Sequence, residues 1–283
     1  ELLRNNIEVD LFPVVGKGFF GYLRNLPKLN RVLKSKSYQL VHAHYGFCGM
    51  LAVLQCKVPV VISFHGSDLH YFFNRCISRL AMTLSKYNFF VAEELMQKAR
   101  QKRKCSVLNI GVDLDLFYPQ DKEECRAKLN LEKNKIYALF GGAFKDKNKN
   151  YALAQKALKL VQYPVELIEL KNFSRQEVVW LMNACDFLLF TSLHEGSPQV
   201  IKEAMACNCP IIATKVGDVE RLLMQTSHSY VFDYDASAIA KGITKIITNN
   251  ERSNGADRII ALSWSLITKE LINKYHDILK NKK

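Results

Sequence analysis

With 283 residues the chain is long enough for two domains of ordinary size, each able to bury its own core. Its 48% hydrophobic and 24% charged residues are typical of a globular protein, and no apolar run approaches the ~20 residues of a membrane-spanning helix. The net charge of +13 calls for an anionic partner, and without zinc-finger spacing, an RNP-type aromatic strand or a basic helix with heptads, nucleic acid is set aside for a phosphorylated ligand or an anionic membrane surface.

The excess of charge is uneven. Residues 1–118 carry 16 Lys/Arg against 8 Asp/Glu, and residues 119–283 carry 24 against 19. Eight cysteines are scattered without a C-x-x-C pair, which fits reduced, mostly buried thiols in a cytoplasmic protein. Cys207-Asn208-Cys209 at a helix-to-strand turn reads as packing rather than a metal site. The opening ELLRNNIEVD reads as a helix end entering a strand, so the chain is expected to have lost its natural start.

In chain order, Ile7–Val15 reads as a strand and Gly16–Gly18 as a turn. Tyr22–Ser35 has helical spacing, with Leu23, Leu26, Leu29, Val32 and Leu33 on one face and Arg24, Lys28, Arg31 and Lys34 on the other. That basic face is either solvated or, with Lys17, Phe19, Phe20 and Tyr22 beside it, a surface for anionic lipid. Strands follow at Tyr38–His44, Val58–Phe64, Tyr87–Ala92 and Cys105–Ile110, separated by helices to about Gln55, over Asn74–Lys86 and over Glu93–Arg100. Strands alternating with helices imply a parallel sheet, whose ligands sit at the carboxyl ends of the strands. His44 and His65 both fall at such ends. Asn109–Pro119 breaks the rhythm and reads as the hinge into a second unit.

In that unit Ile136–Phe140 forms a strand ending at Gly141-Gly142, a pair that lets backbone approach a ligand closely. Lys149 precedes a helix from about Asn150, placed to meet a phosphate. Val165–Leu170 is a strand, Ser174–Asn183 a capped helix, and Asp186–Thr191 a buried strand. Then comes EGSPQVIKEAMACNCPIIATKVGD, Glu195–Asp218. Ser197 as N-cap and Pro198 at the first helical position start a helix whose free amides, at Gln199 and Val200, suit a phosphate. Glu195 and Glu203 bracket that helix start. They are either two solvated acids or acceptors for sugar hydroxyls. Pro210–Thr214 is a strand, and Ala236–Thr248 and Trp264–Leu279 are helical. Two such sheets suggest a cleft that binds a phosphate-bearing ligand with hydroxyls on either side.

HAHYG with SFHGSD, NIGVDLDLFYP, GGAFKDKNKN and EGSPQVIKEAMACNCPIIATKVGD occur in the order found in glycosyltransferase family 4, which the chain resembles over nearly its whole length. The last segment holds the E-x7-E pair as Glu195 and Glu203. The resemblance implies an α/β protein of the GT-B fold: two Rossmann-like parallel-sheet domains facing a cleft, with the last helix crossing back to the first domain. It divides the chain into an acceptor-side domain (1–118, truncated at its start), a nucleotide-sugar donor domain (119–263) and the returning helix (264–283). The implied activity is retaining transfer of a sugar from a nucleotide-sugar donor, a UDP-sugar first, to a saccharide or lipid-linked acceptor, in surface polysaccharide or glycolipid synthesis. The implied setting is the cytoplasm or the inner face of the cell membrane.

Residue by residue, the resemblance gives Glu203 the ribose hydroxyls of the donor. Glu195 takes the transferred sugar, and the backbone of Gly196, Ser197, Pro198, Gln199 and Val200 the sugar and diphosphate. Gly141 and Gly142 line the pocket, Lys149 binds the diphosphate, His65 sits near the reacting sugar, and the base lies near Lys171 and Phe173. His65, Lys149 and Glu195 are thus the catalytic candidates, with no cofactor and no metal, because protein cations take the place of magnesium. The leaving phosphate takes the acceptor's proton in a front-face attack, so Glu195 is a sugar binder rather than a nucleophile.

Two departures stand out. The Arg often found six residues before the diphosphate lysine is here Ala143, which puts more weight on Lys149, with Lys145 or Lys147 as substitutes. The glycine-bearing loop that opens the fold is also missing, so these 283 residues are expected to bind donor weakly. His42-Ala43-His44 invites zinc, but no Cys, Asp or Glu is spaced to complete the site. His70 and His194 fall near the expected crevice. Asp68 either caps the next turn or touches substrate. Two other classes stay in view: a non-catalytic nucleotide-sugar binder, and another GT-B enzyme such as an epimerase.

Overall fold

The computed structural model describes residues 1–280 apart from Tyr71 and Lys102. Residues 281–283 of the expected last helix lie outside the described residues, as do the side chains of Phe19, Ser67 and His70. Two compact units are present: Glu1–Ile110 together with the chain from Ser265 onward, and Gly111–Trp264.

The first unit holds a four-stranded parallel sheet in the order β1-β2-β3-β4, formed by β1 (Val41–His44), β2 (Val60–Phe64), β3 (Tyr87–Phe90) and β4 (Cys105–Val107). β2, VVISF, is buried at all five positions, as a strand covered on both faces must be. One face packs Ala43, Ile62, Phe64 and Phe90 against Met50, Ala81 and Met82. The other packs Val61, Phe89 and Leu108 against Ile278 of the helix Trp264–Lys280, so the end of the chain covers the sheet of its first unit.

Two expectations fail here. Ile7–Val15 is not a strand: among the described residues no strand pairs with it, and Leu11 and Val15 are exposed. It is held by side chains instead, Asp10 Oδ2 accepting from Tyr38 OH at 2.6 Å and from Lys36 Nζ at 2.8 Å. Alternation alone makes no strand without a ladder to join. The helix expected over Tyr22–Ser35 is two, Gly18–Leu23 and Leu26–Ser35. Pro27 cannot donate a backbone hydrogen bond to the preceding turn, and Asn25 Nδ2 donates to Val15 O, Gly21 O and Tyr22 O at the break.

The second unit holds a five-stranded parallel sheet in the order β6-β5-β7-β8-β9, formed by β5 (Ile136–Phe140), β6 (Val165–Glu169), β7 (Phe187–Phe190), β8 (Ile211–Thr214) and β9 (Ser229–Phe232). Alternate residues of β5 and β7 feed the two faces. Leu139, Leu188 and Phe190 meet Val179, Met182, Ile201 and Met205, whereas Ala138, Phe140, Phe187 and Leu189 meet Leu153, Ile239 and Ile243. The segment read as a hinge belongs to this unit from Gly111 on. Val112 N donates to Leu262 O, Trp264 N donates to Val112 O, and Phe117 is fully buried.

Asp186 clamps the starts of β5 and β7, whose other ends carry the candidate site. Its Oδ2 accepts from Tyr137 N at 2.7 Å and from Arg126 Nη2 at 3.0 Å, and its Oδ1 from Lys122 Nζ at 2.6 Å. Arg126 is buried, so losing its counter-charge strands a cation in the core. Asp186→Ala is expected to destabilise this unit by about 3 kcal/mol. Urea unfolding followed by the fluorescence of Trp180 and Trp264, the chain's two tryptophans, measures it; an unmoved midpoint would count against the clamp.

Candidate functional site

The candidates in the second unit gather at the carboxyl ends of β5, β6, β7 and β8. Gly141 and Gly142 follow β5. A Cβ on Gly142 would lie 2.7 Å from Lys149 Cγ and 2.9 Å from its Cδ and Cε, so the lysine stem lies across that glycine. Lys149 Nζ ends 2.6 Å from Glu195 Oε1, with both side chains about four-fifths buried. The loop bearing Lys149 is fastened to the loop after β7. Thr191 Oγ1 donates to Lys149 O at 2.8 Å, Leu193 N to Asn148 O at 2.8 Å, and Asn148 Nδ2 to His194 O at 2.9 Å. Phe144 N donates to Glu169 Oε1 at 2.7 Å, tying the same loop to the end of β6. Lys145 and Lys147, the expected substitutes at the departure from the Arg pattern, stand exposed beside Ala143.

The helix after β7 runs over Gln199–Ala206 and starts one residue later than expected. Pro198, with φ −69° and ψ 121°, is the N-cap, and no side chain caps the helix. Ser197 does not cap, because its Oγ donates to Asp218 Oδ2 at 2.8 Å inside the unit. Asp218 N in turn donates to Gly196 O at 3.1 Å, and Gly217, at φ +52°, lies so close that a Cβ there would be 2.3 Å from Gly196 O. Gln199 Nε2 donates to Gly111 O at 2.8 Å, so its side chain is committed to the scaffold. The first-turn amides, Gln199 and Val200 among them, have no acceptor within the helix and suit an anion.

Glu203 is buried on that helix, with Oε1 2.8 Å from Arg175 Nη1. Burial pushes its carboxyl up, and Arg175 opposes the rise. Lys171 and Phe173 stand exposed on the turn after β6, just before Arg175. Sequence reasoning missed Arg175, Asp218 and Asn148. A cation at the first residue of a helix sits badly with the helix dipole, and that misfit was the one available signal for Arg175.

In the first unit the histidines come together at the ends of β1 and β2. His44 Nδ1 is 2.9 Å from His65 Nε2, and the His42 and His44 rings stack at 4.7 Å. His42 is engaged at both ring nitrogens, by Tyr275 OH on the last helix and by Ser63 Oγ at 2.7 Å. A ring so engaged has no nitrogen to offer zinc. Tyr45, with φ 69° and ψ 152°, holds a conformation uncommon for an L residue and sets its ring, tilted, 4.7 Å from that of His65. Asp68 caps rather than reaches outward, accepting from Gly46 N and His65 N at 2.8 Å each. Tyr22, expected on the lipid-facing side, packs instead against Phe47 at 5.6 Å.

Burial pushes the His42 imidazolium down to about 3 and that of His65 down to about 4, and lowers His44 as well. Each ring binds its proton more weakly in the fold than in the unfolded chain. The first unit should therefore lose stability as pH falls below about 6.5, with the loss from His65 complete near pH 4 and that from His42 near pH 3. Hydrogen-exchange protection of the β2 amides, compared at pH 7 and pH 5, measures the loss; equal protection would show that the cluster carries no such cost.

The sequence matches two family models: "Glycosyltransferase Family 4" over residues 3–116 and "Glycosyl transferases group 1" over residues 133–249. It is 26% identical over 240 residues to a provisionally named teichuronic acid biosynthesis glycosyltransferase of Bacillus subtilis, covering 73% of this chain. It is 24% identical over 244 residues to the UDP-Gal:alpha-D-GlcNAc-diphosphoundecaprenol alpha-1,3-galactosyltransferase of Escherichia coli, covering 69% of this chain. The matches span 60% and 62% of the lengths of those two relatives. The fold is shared with HepE of Anabaena, solved in complex with UDP: TM-score 0.78 at 16% identity, over 98% of this chain and 88% of that one. The chain belongs to the family 4, group 1 glycosyltransferases of the GT-B fold.

Proposed function

We propose that the protein is a retaining glycosyltransferase that moves a sugar from a UDP-sugar to a saccharide or lipid-linked acceptor in surface polysaccharide or glycolipid synthesis. The observation that carries this reading is the Lys149–Glu195 pair beside an uncapped helix start. Lys149 is the cation for the diphosphate, and the first-turn amides share its charge. When the diphosphate takes Lys149, Glu195 is released to accept from hydroxyls of the transferred sugar. Glu203 accepts from the ribose, the base lies by Lys171 and Phe173, and His65 is assigned to the transferred sugar. The UDP bound to HepE and the UDP-galactose and lipid diphosphate named for the E. coli relative support the choice of donor and acceptor class.

In the step itself the bond between the anomeric carbon and the donor phosphate oxygen breaks, and its electron pair stays on the phosphate. The acceptor hydroxyl forms the new bond on the same face of the sugar, and its proton passes to the leaving phosphate oxygen. The developing charge rests on Lys149 and the helix amides, with no metal assigned. Among the described residues no helix is long and apolar enough to cross a membrane. Exposed Leu11 and Phe20 near basic side chains support peripheral contact with anionic lipid at the inner face of the cell membrane.

Thermal shift with UDP-, GDP- and ADP-sugars, then turnover with the stabilising donor, tests the assignment. Lys149→Ala is expected to lower kcat by about 100-fold or more. Glu203→Ala should weaken nucleotide affinity by roughly tenfold, the worth of one charged hydrogen bond. Glu195→Ala should chiefly lower turnover while leaving nucleotide affinity in place. The opposite split between the two carboxylates would exchange their roles, and stabilisation by donor without turnover would leave a binding protein.

A further inference from the structure

Glu203 presents a physical problem. Its side chain is 5% exposed, and a carboxylate that deep neutralises itself unless a counter-charge holds it. The charged groups that face it are Arg175 from the neighbouring helix Arg175–Ala184 and Lys202 from its own helix; Arg175 does more to hold the charge. Cys207, at the end of the same helix, has a thiol that burial raises, so it stays neutral. Arg175 is itself seated: its guanidinium carbon lies 4.6 Å from the centre of the Phe117 ring, and Phe117 is fully buried. The ring supports the half-exposed guanidinium from one side, and its Nη1 meets Glu203 Oε1 at 2.8 Å.

The pair has one more feature. Oε1 is buried and turned onto Arg175, whereas Oε2 accepts from no donor among the described residues. The arginine neutralises the carboxylate through one oxygen and leaves the other's acceptor directions free. Ribose hydroxyls are donors, and only an ionised carboxylate is an acceptor at both oxygens.

We propose that Arg175 is a positioning residue for nucleotide recognition, which uses Phe117 as a platform to keep Glu203 ionised and open to the ribose hydroxyls. The proposal rests on the reading of Glu203 as the ribose acceptor. It gives the Phe117–Arg175–Glu203 array a task separate from catalysis: Arg175 is assigned neither phosphate nor reacting sugar, and its removal acts through the protonation of its partner. Without the arginine, Glu203 takes up a proton at a higher pH than with it, and the ribose loses its acceptor as pH falls. A lysine at 175 restores the charge but not the stack, so its rescue is partial.

The test uses the full chain with Arg175→Met, Arg175→Lys and Glu203→Gln. Titration of the Glu203 carboxyl carbon by 13C NMR, without ligand, reads the first consequence; calorimetric binding of UDP, GDP and ADP at pH 6 and pH 8 reads the second. In Arg175→Met the Glu203 midpoint should rise by about one unit or more, and binding of the tightest of the three nucleotides should fall about tenfold further at pH 6 than at pH 8. Arg175→Lys should recover part of both. An unmoved midpoint, or an equal loss of binding at both pH values, marks Arg175 as mere packing and overturns the proposal. Glu203→Gln binding as tightly as the unaltered chain, or no binding of any of the three nucleotides, overturns the ribose reading beneath it instead.

Discussion

The contact between Lys149 and Glu195 is the one on which the ligand-facing edge of the second unit depends. Two charges held 2.6 Å apart and largely out of water must each keep a partner. The surroundings hold their backbones in place: Gly142 makes room for the lysine stem, Thr191 and Asn148 bind the two loops together, and Asp218 with Gly217 secures the backbone after Glu195. In the proposed function a diphosphate competes with that carboxylate for the lysine. The backbone of the edge is preorganised around the pair.

Behind that edge the unit buries several further charges, and each is answered locally. Arg126 meets Asp186 at the far end of the strands, and Arg175 meets Glu203 beside the expected base pocket. Lys202 is fully buried, and desolvation pushes its ammonium down to about 8 with Asp218 resisting the shift. Asp218 also takes Ser197 and Arg221, which makes it the hub through which the helix start and the loop before it are held. The first unit solves the same problem in the opposite way. Its histidines are held as neutral rings that pair with one another, with Ser63 and with Tyr275, His42 and His65 half-buried and His44 at the edge, so they need no counter-charge but resist protonation.

Much of this was legible in the residues. β5, read as Ile136–Phe140, has those bounds, because an apolar run bounded by turn residues and buried on both faces leaves little freedom. The capped helix after Ser174 appears with its capping box to Glu177, a local signal that needs no tertiary partner. Ile7–Val15 misled because a strand is defined by its neighbour, and alternation in one segment says nothing about whether a neighbour exists. β9 (Ser229–Phe232) went unread for a related reason: it is a short half-buried edge strand.

The sequence by itself determined the alternation of strands and helices, the glycines and lysine after β5, and the two acids around Gln199, since these depend on neighbours within a few residues. Only the tertiary structure decided how the polar groups are shared out. Ser197 was expected to cap its own helix and instead serves Asp218, twenty-one residues on. Asp68 was open to substrate on paper and is consumed by two amides. Arg175 and Glu203, twenty-eight residues apart, become partners because β6 and β7, on either side of β5 in one parallel sheet, deliver their helices to one edge. Hydrogen bonds and ion pairs go to whichever partner the fold brings within about 3 Å, and spacing along the chain does not encode that distance.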